Sequence, residues 1–155
     1  MTSGSSRLPS LGPRGEGWVA LQFALLAGIV FLGFEGSDWH GWTRWLGVPL
    51  ALGGAAGAVV SLRGLGPALT PLPFPGERAV LVDRGIYGVV RHPAYLFVVV
   101  AAVGWSLVAG SVPSLALTAA LALVLDLKSR REEAWLEERF PEYVSYRRRV
   151  RLRGI

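Results

Sequence analysis

No charged residue occurs from Gly17 to Phe34, and none from Trp45 to Leu62. Each run is close to the ~20 residues that cross a bilayer core. Neither carries the polar stripe that a helix of a soluble bundle needs, so both are predicted to be transmembrane helices. A third charge-free stretch, Pro93 to Leu125, is too long for one span, and Gly110-Ser111-Val112-Pro113 places a turn inside it. That divides it into a hairpin over about 94–109 and 113–127. Both arms are short for a full crossing, which predicts local bilayer thinning or burial against neighbouring helices. The expected fold is all-α: an integral membrane bundle of about four transmembrane helices (17–34, 45–62, 94–109 and 113–127) followed by a cytoplasmic C-terminal amphipathic helix. Residues 1–16, rich in Ser, Gly and Pro, are expected to be disordered and not to act as a cleavable signal. Residues 17–155 should form one membrane domain.

The charges then orient the bundle. With four spans, every lysine and arginine except Arg44 falls on one side, so the positive-inside rule places both termini in the cytoplasm. Trp39, Trp42 and Trp45 crowd the opposite boundary, where amphipathic rings anchor at head-group level. Composition agrees: 52% hydrophobic and 17% charged residues contrast with about 25% charged in soluble domains. The net charge of +5 therefore points to anionic lipid head groups and away from nucleic acid. The absence of Cys removes disulfides and thiolate chemistry, and the separation of His40 from His92 argues against a metal site. Ala, Gly and Arg richness with a single Lys points to a GC-rich bacterial genome, in which a prenylated protein is not an expected substrate; the expected location is the inner (cytoplasmic) membrane.

Residues capable of polar chemistry gather on the cytoplasmic side, in 69–95 and 126–150. Thr70 to Gly76 has too many prolines for a helix, and Ala79-Val80-Leu81-Val82 is a short apolar stretch before the turn Asp83-Arg84-Gly85. Arg91 and His92 directly precede Pro93, a residue suited to a first helical turn, where free backbone N–H groups favour an anionic or polar ligand. A lone histidine beside an apolar helix is ordinarily structural, but these neighbours, with Tyr87 and Tyr95, favour a binding role. Beyond the fourth span, Trp135, Leu136, Phe140, Tyr143 and Tyr146 share one side at helical spacing with a break at Pro141. This predicts an interface helix whose basic residues meet lipid phosphates. Glu132 and Glu133 alone would be a solvated, salt-bridged face, as is expected for Glu138.

The order of these pieces resembles the isoprenylcysteine carboxyl methyltransferase family and its relatives, the phospholipid N-methyltransferases among them. The shared pattern is Leu69-Thr70-Pro71, then Leu81 to Tyr87 as Leu-Val-x-x-Gly-x-Tyr, then Arg91 to Tyr95 as Arg-His-Pro-x-Tyr. A hydrophobic hairpin follows, then Glu132 to Leu136 as Glu-Glu-x-x-Leu, and Tyr143 and Tyr146 as Tyr-x-x-Tyr. The chain departs from the pattern at Ala68, where the family often has Asn, and at Phe97, where it often has Gly. Both departures bear on substrate identity more than on cofactor binding.

The resemblance implies a membrane methyltransferase that uses S-adenosyl-L-methionine at the cytoplasmic face on a lipophilic acceptor entering from the lipid. It assigns Ala79, Val80, Leu81, Val82, Tyr87, Arg91, His92, Pro93, Ala94, Tyr95 and Glu132 to the cofactor pocket, with no metal. Lys128 stands where the family has a substrate-side arginine, and keeps the charge without the bidentate fork. A carboxylate acceptor, with a reference pKa of about 4, needs no base, whereas an amine would have to be neutral, and Glu133 or Glu137 could assist. Two rival expectations stand beside this one: an NADPH-dependent enzyme like the sterol reductases, and a non-catalytic membrane scaffold with a lipid-binding basic tail. No Gly-x-Gly-x-x-Gly supports a soluble dinucleotide-type fold.

Overall fold

The structure is a computed structural model, which describes residues 11–36, 41–66, 69, 72 and 80–155. Most of the expected disordered segment, the boundary residues Trp39 and His40, and the departure at Ala68 lie outside the described residues. Five α-helices follow one another: α1 (Glu16–Phe34), α2 (Trp42–Leu65), α3 (Pro93–Ala109), α4 (Val112–Arg139) and α5 (Tyr143–Arg149), with a 3-10 turn at Gly85–Gly88 before α3. No strand occurs among the described residues. Residues 11–15 form a turn in which the Gly17 amide donates to the Leu11 carbonyl at 2.8 Å.

α1, α2 and α4 are long and apolar enough to cross a membrane. Their apolar side chains point outward: Phe31 is 62% exposed, Leu52 67% and Trp45 85%, surface that water would not tolerate at this density. The chain is a membrane protein. Of the four expected spans, α3 is the shorter apolar helix. Its 17 residues rise about 25 Å against a ~30 Å core, and it compensates by packing closely on α2.

Small residues make that packing possible. A Cβ on Gly54 would lie 2.4 Å from the Ala101 amide nitrogen, and one on Gly104 would lie 2.1 Å from that of Ala51. The two backbones are therefore in direct contact, the arrangement small residues permit between membrane helices. The predicted turn lies where Gly110 adopts φ 63, and Ser111 caps α4 by accepting from the Ser114 amide at 3.2 Å. Hydroxyls then tie α1, α3 and α4 together inside the bundle. Ser106, Ser114 and Thr118 are mutually bonded, Ser114 donates to the Ile29 carbonyl at 2.9 Å, and Ser111 donates to that of Leu32 at 2.8 Å. The apolar core beside them is Ile29, Ala102, Leu121 and Leu125.

In the C-terminal part the aromatic stripe is covered by protein, while the basic residues of α5 stay exposed. α4 continues unbroken past the apolar segment to Arg139, and α5 folds back against it. Trp135, Tyr143 and Tyr146 are buried against protein, with Leu81, Leu136 and Phe140 packed on the two tyrosines. Arg153 is half-buried in a pair with Asp126, while Arg147 and Arg149 are exposed and pair at the surface with Glu137 and Asp83. The aromatic stripe has partners of its own, so it does not need a lipid interface. Arg148 and Arg151 stay exposed.

Candidate active site at the ends of α3 and α4

The chain enters α3 at its N-terminal end and leaves the bundle along α4, so His92 and the Glu132-Glu133 pair meet at one end of the hairpin. His92 is buried, and its Nε2 lies 3.2 Å from Glu133 Oε1 while its Nδ1 lies 3.7 Å from Glu132 Oε2. Tyr95, one turn into α3, donates its hydroxyl to Glu132 Oε2 at 2.9 Å, and its ring stacks parallel to that of His92 with centroids 5.5 Å apart. Lys128, one turn before Glu132, is 2% exposed. Its ammonium donates to Gln22 Oε1 at 2.7 Å and lies 5.1 Å from the centre of the Tyr95 ring.

Arg91 donates from Nε to Glu133 Oε1 at 2.9 Å and from a terminal nitrogen to the Val150 carbonyl at 3.0 Å. Burial alone would raise the Glu133 carboxyl. The hydrogen bond and charge of His92 and the guanidinium of Arg91 outweigh it and hold that carboxyl below its ordinary value. Glu133 is consequently a weak base, and its position is that of a brace between Arg91 and His92. Glu132, by contrast, keeps a quarter of its side chain open (24%).

The backbone around the histidine is pinned from outside the motif. The Arg91 amide donates to the Leu152 carbonyl at 3.0 Å and the His92 amide to that of Arg153 at 2.9 Å, in a parallel pairing of Val90 with Leu152. Buried Pro93 has no N–H, so the Ala94 and Tyr95 amides remain as first-turn donors without intrahelical acceptors.

The other expected site residues have different surroundings. Tyr87 is buried and donates its hydroxyl to the Ser61 carbonyl of α2 at 3.1 Å, while its own carbonyl accepts from the Tyr146 hydroxyl at 2.7 Å. It bridges α2 to α5, and burial, helped by the charge of Glu132, raises its phenol. Burial likewise pushes the Tyr146 phenol up to about 12. Leu81 and Val82 are half-buried, Leu81 packing on the tyrosines; Val80 is 62% exposed, and Ala79 lies outside the described residues.

Two residues were not expected at the site. Gln22, from α1, has no local signal beyond being an amide in a charge-free run. Tyr143 is 1% exposed, and its hydroxyl has no hydrogen-bond partner among the described residues. Burial raises this phenol, and the Glu133 and Glu132 carboxylates add to the rise, so the orphan donor lies within electrostatic reach of the pair. The cluster thus offers carboxylates, an imidazole, a flat aromatic wall, open backbone donors and an unused hydroxyl. That set fits a cationic ligand carrying an amino acid and a diol. No group of His, Cys, Asp and Glu suited to a metal ion occurs among the described residues.

Residues 42–143, well over half of the chain, match the model of a protein family described as phospholipid methyltransferase. The matched stretch contains every member of the His92 cluster except Gln22. No curated protein and no solved structure matches the chain.

Proposed function

The chain belongs to the phospholipid methyltransferase family, and on that premise we propose that it transfers a methyl group from S-adenosyl-L-methionine to a carboxylate or amine of a lipophilic acceptor, in the manner of the isoprenylcysteine carboxyl methyltransferases. The reaction takes place at the cytoplasmic face of the inner membrane, with both termini on that side. The observation that carries this is the buried His92 held between Glu132 and Glu133, with Tyr95 stacked on it, where two membrane helices reach the boundary.

S-adenosyl-L-methionine supplies an electrophilic methyl on a sulfonium centre. Glu132, the more open carboxylate, accepts hydrogen bonds from the cofactor, and its charge with the Tyr95 ring favours a cation beside it. His92, Pro93, Ala94 and Tyr95 shape the wall, with the Ala94 and Tyr95 amides as donors. Glu133 and Arg91 hold His92 in place, and Tyr87 and the 80–82 segment close the outer side. The buried Lys128 ammonium lies toward the bundle interior, where a lipophilic acceptor arrives. The surrounding apolar helices exclude water, so alignment of nucleophile and methyl is the main contribution, worth up to ~7 to 11 kcal/mol in favourable cases.

Calorimetry in detergent with S-adenosylhomocysteine and with NADPH tests this directly. Glu132→Gln should weaken S-adenosylhomocysteine binding by about 1.5 to 3 kcal/mol, the usual worth of a charge-assisted hydrogen bond. Binding of NADPH without binding of S-adenosylhomocysteine would transfer the chain to the reductase class. Binding of neither would favour the scaffold.

A further inference from the structure

Beyond α5, residues 150–155 cross the end of the α3 and α4 hairpin and bond to both of its helices. The Arg153 carbonyl accepts from the His92 amide at 2.9 Å, while the Arg153 guanidinium pairs with Asp126 of α4. One residue therefore joins the backbone that presents the imidazole to the helix that carries the two glutamates. Asp126 stands six residues before Glu132, about 9 Å along the axis of the same helix.

Three further features hold the segment in place. Val150 is buried, and its carbonyl accepts from Arg91 at 3.0 Å. Ile155 packs on the apolar core cluster that also supports Tyr95. Between them, Gly154 has φ 109, in the left-handed region that favours glycine, and a Cβ there would lie 2.7 Å from Val90 Cγ1 and 3.1 Å from the His92 carbonyl oxygen. The close passage of the segment over the entry to α3 thus depends on a glycine. The Asp126 and Arg153 side chains are 17% and 22% exposed, so water and salt screen this pair less than the surface pair of Arg149 with Asp83.

We infer that residues 150–155 form a latch, and that Asp126 and Arg153 are positioning residues which fix the spacing between the His92 backbone and Glu132. The link from Asp126 through Arg153 to the His92 amide uses no side chain of the candidate site. The spacing is therefore set before a ligand arrives, and binding does not have to order the two helix ends, which is how preorganisation strengthens affinity. The inference rests on the methyltransferase reading only for S-adenosylhomocysteine as the ligand that probes the site.

The chain has two histidines, so 15N-histidine labelling in dodecyl maltoside gives two backbone amide signals, and His40→Asn tells which belongs to His92. In the full wild-type chain the His92 amide should exchange slowly with deuterium. Arg153→Gln keeps the carbonyl and removes the grip on Asp126, and Asp126→Asn weakens the same pair from the other side. Each should speed exchange at His92 at least about tenfold and weaken S-adenosylhomocysteine binding at least about fivefold in calorimetry. Arg153→Lys, which keeps the charge, should recover most of both. Arg130→Gln removes the other, exposed partner of Asp126 and should change neither. The inference is overturned if the wild-type His92 amide exchanges as fast as that of an unstructured chain, or if either variant leaves it at the wild-type rate. Faster exchange with unchanged S-adenosylhomocysteine affinity overturns it too, as does an Arg130→Gln effect equal to that of Asp126→Asn. Two variants read the pair from opposite sides, so the test stands if one of them does not fold. A wild type that binds no S-adenosylhomocysteine strikes the methyltransferase reading, and the exchange rates still decide whether the latch holds His92.

Discussion

His92 is held from three directions: by Glu133 at 3.2 Å, by the flat face of Tyr95, and through its own amide by the Arg153 carbonyl. The backbone is pinned independently of the ring, so removing the imidazole loses the Glu133 contact and the Tyr95 stack without unpinning the chain. His92→Ala should leave a monodisperse, membrane-inserted protein that binds S-adenosylhomocysteine at least about tenfold more weakly, a difference of ~1.4 kcal/mol. Glu138→Gln, at an exposed position, should bind normally in the same calorimetric assay. Glu133 makes a different prediction, through pH. Its folded-state pKa lies below the ordinary 4.5, so its bonds to Arg91 and His92 stabilise fully above that value and are lost as pH falls through the lowered pKa. Melting of the detergent-solubilised wild type should therefore hold steady from neutral pH to about 4.5 and decline below. Glu133→Gln should melt lower at neutral pH and lack that part of the acid decline.

At the scale of helices, the contact between α2 and α3 is set by atoms the sequence does not place. Gly104→Ala puts a methyl 2.1 Å from the Ala51 nitrogen, and backbone cannot swing aside. The helices must separate, with a loss of about 1 to 3 kcal/mol or more, readable as a lower melting temperature. The helices themselves were legible because a bilayer imposes a simple rule on composition: charge-free runs over Gly17–Phe34 and Trp45–Leu62 fall within α1 and α2, and Gly110 to Pro113 marks the α3 to α4 turn. The His92, Tyr95 and Glu132 members of the site were legible from motif order. Gln22, the Leu152 and Arg153 carbonyls and the Tyr87 to Ser61 bond were not, since each depends on contact between segments far apart in sequence, which periodicity does not encode. What covers the aromatic stripe was not legible for a related reason. An aromatic stripe shows that a face is buried, and only the packing shows that Leu81, Leu136 and Phe140 bury it.

For the molecule as a whole, the proposed site makes a prediction about topology. If the His92 cluster takes the water-soluble cofactor proposed for it, the N-terminal end of α3 and the C-terminal end of α4 should face the cytoplasm, the side on which the one-sided basic residues are expected. An alkaline phosphatase joined to residue 155 should be inactive and a fluorescent protein joined there bright; an active phosphatase would invert the bundle. The pairing of Val90–His92 with Leu152–Arg153 has a further consequence in time. The ribosome makes α3 and α4 first, and the hairpin can enter the bilayer while residues 150–153 are still in the exit tunnel. During that interval the amides of Arg91 and His92 and the guanidinium of Arg91 lack the carbonyls that later engage them. Membrane insertion and completion of the His92 cluster are therefore separable, and a released chain truncated after Arg149 should be integrated yet, on the proposed reading, unable to retain the cofactor.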